Sequence, residues 1–79
     1  MMLSYDPDAD AIYVDFGREA SGQLHTRDFR DGRYVDIDGQ GNIVGVELLG
    51  VSQGYSLEGI PRADEITVLL RSVPQPQPA

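Results

Sequence analysis

The chain has 79 residues and contains no cysteine, no tryptophan and no lysine. The lack of cysteine excludes a disulfide framework and a thiolate metal site, and it removes the usual indicator of the redox compartment. No apolar run approaches the roughly 20 residues that a transmembrane helix needs. Because no secretory signal is recognisable either, we expect a cytoplasmic protein with no membrane partner.

Positive charge is also scarce. Six arginines stand against thirteen aspartates and glutamates, which gives a formal net charge of −7 at pH 7. Binding of nucleic acid requires a basic surface that faces the phosphates, so this balance argues against a nucleic-acid partner. A small basic protein suits the charge better.

The length predicts one small domain with a modest core. We assign residues 1–73 to this single α+β domain. Residues 74–79 read Pro-Gln-Pro-Gln-Pro-Ala, which forms neither a strand ladder nor a helix, so we predict a disordered tail there.

Alternation of apolar and polar residues predicts a small antiparallel β-meander of about four strands. The predicted strands are residues 11–16, 24–29, 33–38 and 42–49, and residues 3–5 are a brief candidate before them. One C-terminal helix is predicted to pack on one face of this sheet.

Pro61 suits the first turn of that helix, and Asp64 and Glu65 suit its positive N-terminus. Apolar residues then recur at helical spacing: Ala63, Ile66, Leu69, Leu70 and Val73. Residues 66–70 taken alone also fit a strand, and the sequence leaves that alternative open.

Residues 36–47 fit two different structures. On a calcium-binding loop of the EF-hand type, Asp36 and Asp38 take the first and third ligand positions and Glu47 takes the last. As a β-hairpin, the same residues form two arms joined by a glycine-rich turn. The flanking segments alternate with period 2, and Gly45 is a poor helix residue, so we favour the hairpin.

The acidic segment from Asp6 to Asp10 has the same two interpretations. Pro7 fixes φ, and aspartate side chains bond nearby backbone N–H groups, so a tight turn is expected. A weak calcium site that uses the acidic turns is the alternative function. We predict no cofactor and assign no residue as a metal ligand.

No catalytic residue is predicted, and we expect a protein that is not an enzyme. His25 is the only histidine, and no nucleophile elbow is present. Asp36 and Asp38 are predicted near the rim of a water-exposed turn, whereas a general acid needs an apolar pocket that raises its pKa.

Tyrosines mark the candidate partner surface. Tyr13 and Tyr34 are predicted on strand faces opposite the apolar residues, and Tyr5 belongs to the brief first strand. Tyrosine combines a wide apolar contact area with a polar tip, and it is frequent at interfaces. We predict that Tyr13, Tyr34 and Tyr5 contact a partner, which is either a small basic protein or a second copy in a homodimer.

Three segments together resemble a known family. They are residues 5–13 (YDPDADAIY), 34–38 (YVDID) and 41–49 (GNIVGVELL). The combination resembles the small bacterial proteins grouped as domain of unknown function 2283, over about residues 3–49. The resemblance implies a small cytoplasmic protein with no assigned enzymatic activity. It also implies an interaction role, since some members look like antitoxin-type partners of small toxin proteins.

Overall fold

A computed structural model describes residues 1–71 of the chain. Its elements are β1 (Met2–Asp6), β2 (Ala11–Asp15), β3 (His25–Asp28), β4 (Arg33–Ile37), β5 (Ile43–Leu49), a 3₁₀-helix (Val51–Gln53) and α1 (Ala63–Leu70). The predicted α+β class is therefore confirmed, and residues 66–70 are helical rather than extended. Val73 and the tail predicted at residues 74–79 lie outside the described residues.

The five strands form one sheet in the order β1-β2-β5-β4-β3. All neighbours are antiparallel. β1 and β2 form a hairpin, β3 to β5 form a three-stranded meander, and β5 joins these two units by pairing with β2. The expectation of about four strands in one simple meander is corrected to five strands with β5 at the centre. Period-2 alternation assigns a residue to a face but does not identify the neighbouring strand, so this long-range pairing left no signal in the sequence.

α1 covers one face of the sheet and closes the core there. Ile66 and Leu70 are 0% and 4% exposed, whereas Val68 on the outer side of the helix is 63% exposed. Ile66 and Leu70 belong to one buried core cluster with inward residues of β2, β4 and β5: Ile12, Val14, Val35, Val46 and Leu48. Of the predicted apolar stripe, Ile66 and Leu70 are thus core residues, and Leu69 packs against the core.

The connection between β5 and α1 is fastened to the sheet by polar contacts. The Arg33 guanidinium on β4 donates to the backbone carbonyls of Ser56 and Glu58. The Asp10 carboxylate accepts from the backbone N–H and the hydroxyl of Ser52 at 2.9 and 2.7 Å. The connection contains little regular structure, and these contacts hold it beside the sheet. It leads from there into α1.

Candidate interaction surface

The sheet face that α1 leaves uncovered, here called the open face, is formed by alternate residues of all five strands. The strand registers place these residues on it: Met2, Ser4, Asp6, Ala11, Tyr13, Asp15, Thr26, Asp28, Tyr34, Asp36, Gly45, Glu47 and Leu49. Their sequence neighbours on the central strands point into the core. This division follows from the period of two residues along a strand.

Tyr13 and Tyr34 lie on the open face on either side of Glu47. Both tyrosines are register partners of Glu47, which belongs to the central strand β5. Partners on adjacent antiparallel strands carry their side chains on the same face, so the three side chains are immediate neighbours. The prediction that Tyr13 and Tyr34 lie opposite the apolar residues is confirmed. Tyr5, by contrast, pairs with Ile12 and packs against the core on the covered face.

A hydrogen-bonded network crosses the open face over Gly45. A Cβ atom on Gly45 would lie 2.0 Å from Tyr13 Oη, so the phenol lies directly above this glycine. Beyond it, Tyr13 Oη donates to Asp36 Oδ2 at 3.1 Å, and Thr26 Oγ1 donates to Asp36 Oδ1 at 2.7 Å. The network thus spans β2, β5, β4 and β3, and only glycine at position 45 leaves room for it.

The phenol of Tyr13 has negatively charged surroundings. The pKa of Tyr13 is raised to about 12, mainly because the phenol is partly buried. The hydrogen bond to Asp36 and the charges of Asp36, Asp15 and Glu47 raise this pKa further. Ionisation would add one more negative charge beside these carboxylates, so the neutral form is favoured. The phenol is therefore a hydrogen-bond donor throughout the physiological pH range.

The open face as a whole is acidic and lacks counter-charges. Its carboxylates belong to Asp6, Asp15, Asp28, Asp36 and Glu47, and no arginine or histidine occupies an open-face position in the five strands. Within residues 1–71 the only ion pair joins Arg62 to Glu65, at the start of α1. None of the open-face carboxylates is neutralised by a cation of the described chain.

The acidic residues that suggested a calcium site use their oxygens for hydrogen bonds inside the protein. Asp38 is 2% exposed, so the prediction that it lies at a water-exposed rim is wrong. Its carboxylate accepts from the backbone N–H groups of Gln40 and Asn42 at 2.9 Å each and of Ser21 at 3.1 Å. The N–H of Asn42 contributes most to holding the pKa of Asp38 below its ordinary value. Asp36 is held by the network described above. Calcium binding at these turns stays the alternative hypothesis, and these contacts do not favour it.

The second acidic turn is also hydrogen-bonded internally. Asp6 Oδ1 accepts from the backbone N–H groups of Asp8 and Ala9 at 3.0 and 3.2 Å, which closes the turn between β1 and β2. The prediction of a turn in this segment is confirmed, as is the prediction of a hairpin between β4 and β5. Across residues 1–71, no three histidine, cysteine, aspartate or glutamate side chains are grouped so as to hold a metal ion.

Comparison with known proteins identifies the family of the chain. A family model described as "Protein of unknown function (DUF2283)" matches residues 2–52. The chain belongs to this family. The DUF2283 match contains all five strands, and hence the whole open face, whereas α1 lies beyond it. No curated protein and no solved structure matches the chain.

Two members of the open face were missed by reasoning from the sequence of this DUF2283 protein. The calcium-loop interpretation uses Glu47 only as a ligand, although its position in an alternating strand places it on the face opposite Val46 and Leu48. The hairpin interpretation uses Gly45 only as a poor helix residue, although a glycine inside a strand signals a close approach by another group.

No helix in residues 1–71 is long and apolar enough to cross a membrane.

Proposed function

We propose that this protein is a non-catalytic interaction module that binds a basic protein through the open face of its sheet. The observation that carries the proposal is an acidic face, with two tyrosines at its centre, that contains no cation of its own. A basic partner would supply the missing positive charges, which favours association and partner choice. Tyr13 and Tyr34 would provide the apolar contact area. An antitoxin-like role beside a small basic toxin in the cytoplasm is the specific form of this proposal.

The chemistry of the carboxylates supports a non-catalytic role. A general acid in an enzyme is usually a carboxyl whose pKa is raised by an apolar environment. The pKa of Asp38 is instead lowered by backbone N–H donors. His25 lies on the exposed edge strand β3, and its register places it on the face opposite the one that carries Asp36.

Self-association through the open face is a less favourable arrangement. Two copies facing each other would bring their unneutralised carboxylates together, and like charges in contact destabilise an interface. A homodimer would more favourably use one of the edge strands, β1 or β3, which have unpaired backbone groups along one side.

The test is capture of a partner by the tagged protein in its native host at physiological salt, followed by light scattering of the eluted complex. A stoichiometric small basic protein is the expected result. In the variant Asp28→Arg, which reverses a charge on the open face, we expect weaker capture and a smaller effect of added salt, because fewer charge pairs form.

Matched controls reverse a charge away from the open face. Glu19→Arg lies in the loop between β2 and β3, and Asp31→Arg lies in the turn between β3 and β4. Both change the net charge by the same amount as Asp28→Arg, so both should retain the partner. Equal loss of capture in all three variants would contradict recognition by the open face, as would a partner that carries no basic surface.

A further inference from the structure

A concave site lies on the open face. A depression of about 280 Å³ lies where β1, β2 and β5 meet. Its lining includes Ser4, Asp6, Ala11, Tyr13, Glu47 and Leu49. Small-molecule sites usually occupy about 300–1,000 Å³. The depression therefore lies at the small end of this range, and it has room for a single long side chain.

Two carboxylates line this depression, those of Asp6 and Glu47. Asp6 Oδ1 already accepts from the backbone N–H groups of Asp8 and Ala9, which leaves Glu47 as the carboxylate without a partner in the described chain. Its side chain is only partly exposed, it lies between two tyrosines, and it makes no hydrogen bond or ion pair with any residue in the range 1–71. A partly buried carboxylate is more stable with a cation beside it than without one. Leu49 and Ala11 supply an apolar wall next to this carboxylate. The site thus combines an apolar wall, an aromatic ring and an unpaired negative charge.

Arginine fits this combination better than lysine does. Its methylene stem covers apolar surface, while its planar guanidinium stacks on aromatic rings and donates two parallel hydrogen bonds to a carboxylate. The same chain places two arginines over aromatic rings: Arg27 Cζ lies 5.6 Å from the centre of the Phe29 ring, and Arg62 Cζ lies 5.1 Å from that of Phe16. The ammonium of lysine offers neither the planar stack nor the paired donors.

The geometry points to the depression as the anchor site for one arginine side chain of the partner, with the guanidinium bound to Glu47 beside the Tyr13 ring and the stem against Leu49. This inference rests on the proposed function and names the chemistry by which the open face recognises its partner. Like other anchor residues at interfaces, this arginine would carry a large share of the binding energy.

The experiment uses N-acetyl-arginine amide as the probe and follows backbone amide signals of the full chain by NMR at constant ionic strength. We expect saturable shifts at Ser4, Ala11, Tyr13 and Glu47, with a dissociation constant in the millimolar range. N-acetyl-citrulline amide has nearly the same shape without the charge, and it should produce no saturable shift. N-acetyl-lysine amide should bind more weakly than the arginine probe.

Two matched variants make the test specific. Glu47→Gln should abolish the saturable shifts, whereas Glu58→Gln, which removes the same charge from an exposed turn outside the sheet, should leave them unchanged. Absence of saturable shifts, shifts centred elsewhere, or equal binding by Glu47→Gln would overturn the inference. If the arginine probe fails in one of these ways but Asp28→Arg still weakens capture of the partner, only the arginine site is wrong. The proposal of an interaction module is then still supported. If no open-face variant affects capture, the proposed function fails as well.

Discussion

At the scale of single residues, the pKa of Tyr13 provides the most direct test of the network on the open face. We expect Tyr13 to titrate near pH 12. Asp36→Asn should lower this value towards 10, because the substitution removes the charged acceptor. Ultraviolet titration of the native protein, compared with that of Tyr13→Phe, isolates the signal of Tyr13 from those of the other three tyrosines. An unchanged titration in Asp36→Asn would contradict the hydrogen bond.

The same pKa shift makes stability depend on pH in the alkaline range. In the unfolded chain a tyrosine loses its proton near pH 10, whereas Tyr13 in the folded protein keeps it until about pH 12. The unfolded state therefore binds fewer protons between these values, and the free energy of unfolding falls as the pH rises through this window. Urea unfolding at pH 9, 10 and 11 should show a steeper loss for the native protein than for Tyr13→Phe.

The close approach of Tyr13 to Gly45 predicts the effect of a larger residue at position 45. A Cβ atom there would collide with Tyr13 Oη and Cζ at 2.0 and 2.5 Å. Gly45→Ala should therefore displace the phenol and cost about 1–3 kcal/mol of unfolding free energy, which is typical of overpacking. In a Tyr13→Ala background the same substitution should cost less, since the colliding ring is absent. A double-mutant cycle measures this difference, and strictly additive effects would exclude the contact.

At the scale of elements, Asp38 organises the β4–β5 hairpin. Its carboxylate accepts from two backbone N–H groups of the hairpin turn. It also accepts from the backbone N–H of Ser21, which lies in the loop between β2 and β3. The lowered pKa of Asp38 means that its charged form stabilises the folded state above the ordinary pKa near 4. That contribution is lost as the pH falls through the lower folded-state value.

Asp38→Asn should consequently lower the Tm at pH 7, and the difference from the native protein should shrink as the pH falls below about 4. Asp8→Asn is the control, because Asp8 is exposed and its side chain accepts no hydrogen bond in the described chain. Thermal unfolding followed by circular dichroism across this pH range provides the measurement. A constant difference at every pH would mean that the charge of Asp38 is irrelevant to the hairpin.

Helix α1 lies outside the family match, yet it supplies the buried cover of the sheet. Ile66 is fully buried, so Ile66→Ala should cost about 2–5 kcal/mol through lost burial and a residual cavity. Val68→Ala, on the exposed side of the same helix, should change stability by less than about 0.5 kcal/mol. Chemical denaturation of both variants tests whether α1 belongs to the same cooperative unit as the sheet.

At the scale of the whole molecule, local patterns predicted far more than long-range ones. Alternation identified the strands, and helical spacing identified Ile66 and Leu70 as core residues. The turn at Asp6 followed from the ability of aspartate to bond nearby N–H groups, and the turn after Asp38 followed from its glycines and its alternating flanks. The pairing of β5 with β2 was not predictable, because it depends on contacts between distant segments rather than on a repeat in the sequence. The contact of Tyr13 with Asp36 depends on that pairing, so it was missed for the same reason.

The distribution of charge over the whole molecule leads to a final prediction about self-association. The net charge of the chain is −7, and five of its carboxylates lie on the open face without an ion-pair partner in residues 1–71. Repulsion between two such faces weakens with salt, because mobile ions screen charges that are exposed to water. If the open face is kept from pairing with itself by this repulsion, neutral substitutions there should promote dimers.

We therefore expect Asp28→Asn/Glu47→Gln to raise the apparent mass at low salt, as measured by size-exclusion chromatography with light scattering. The control Asp31→Asn/Glu58→Gln removes the same number of charges outside the open face and should leave the mass unchanged. Added salt should shift the native protein in the same direction as the open-face variant. The native protein could instead be dimeric at low salt and unaffected by either pair of substitutions. That result would mean that the dimer contact involves an edge strand, where carboxylates of the open face do not meet.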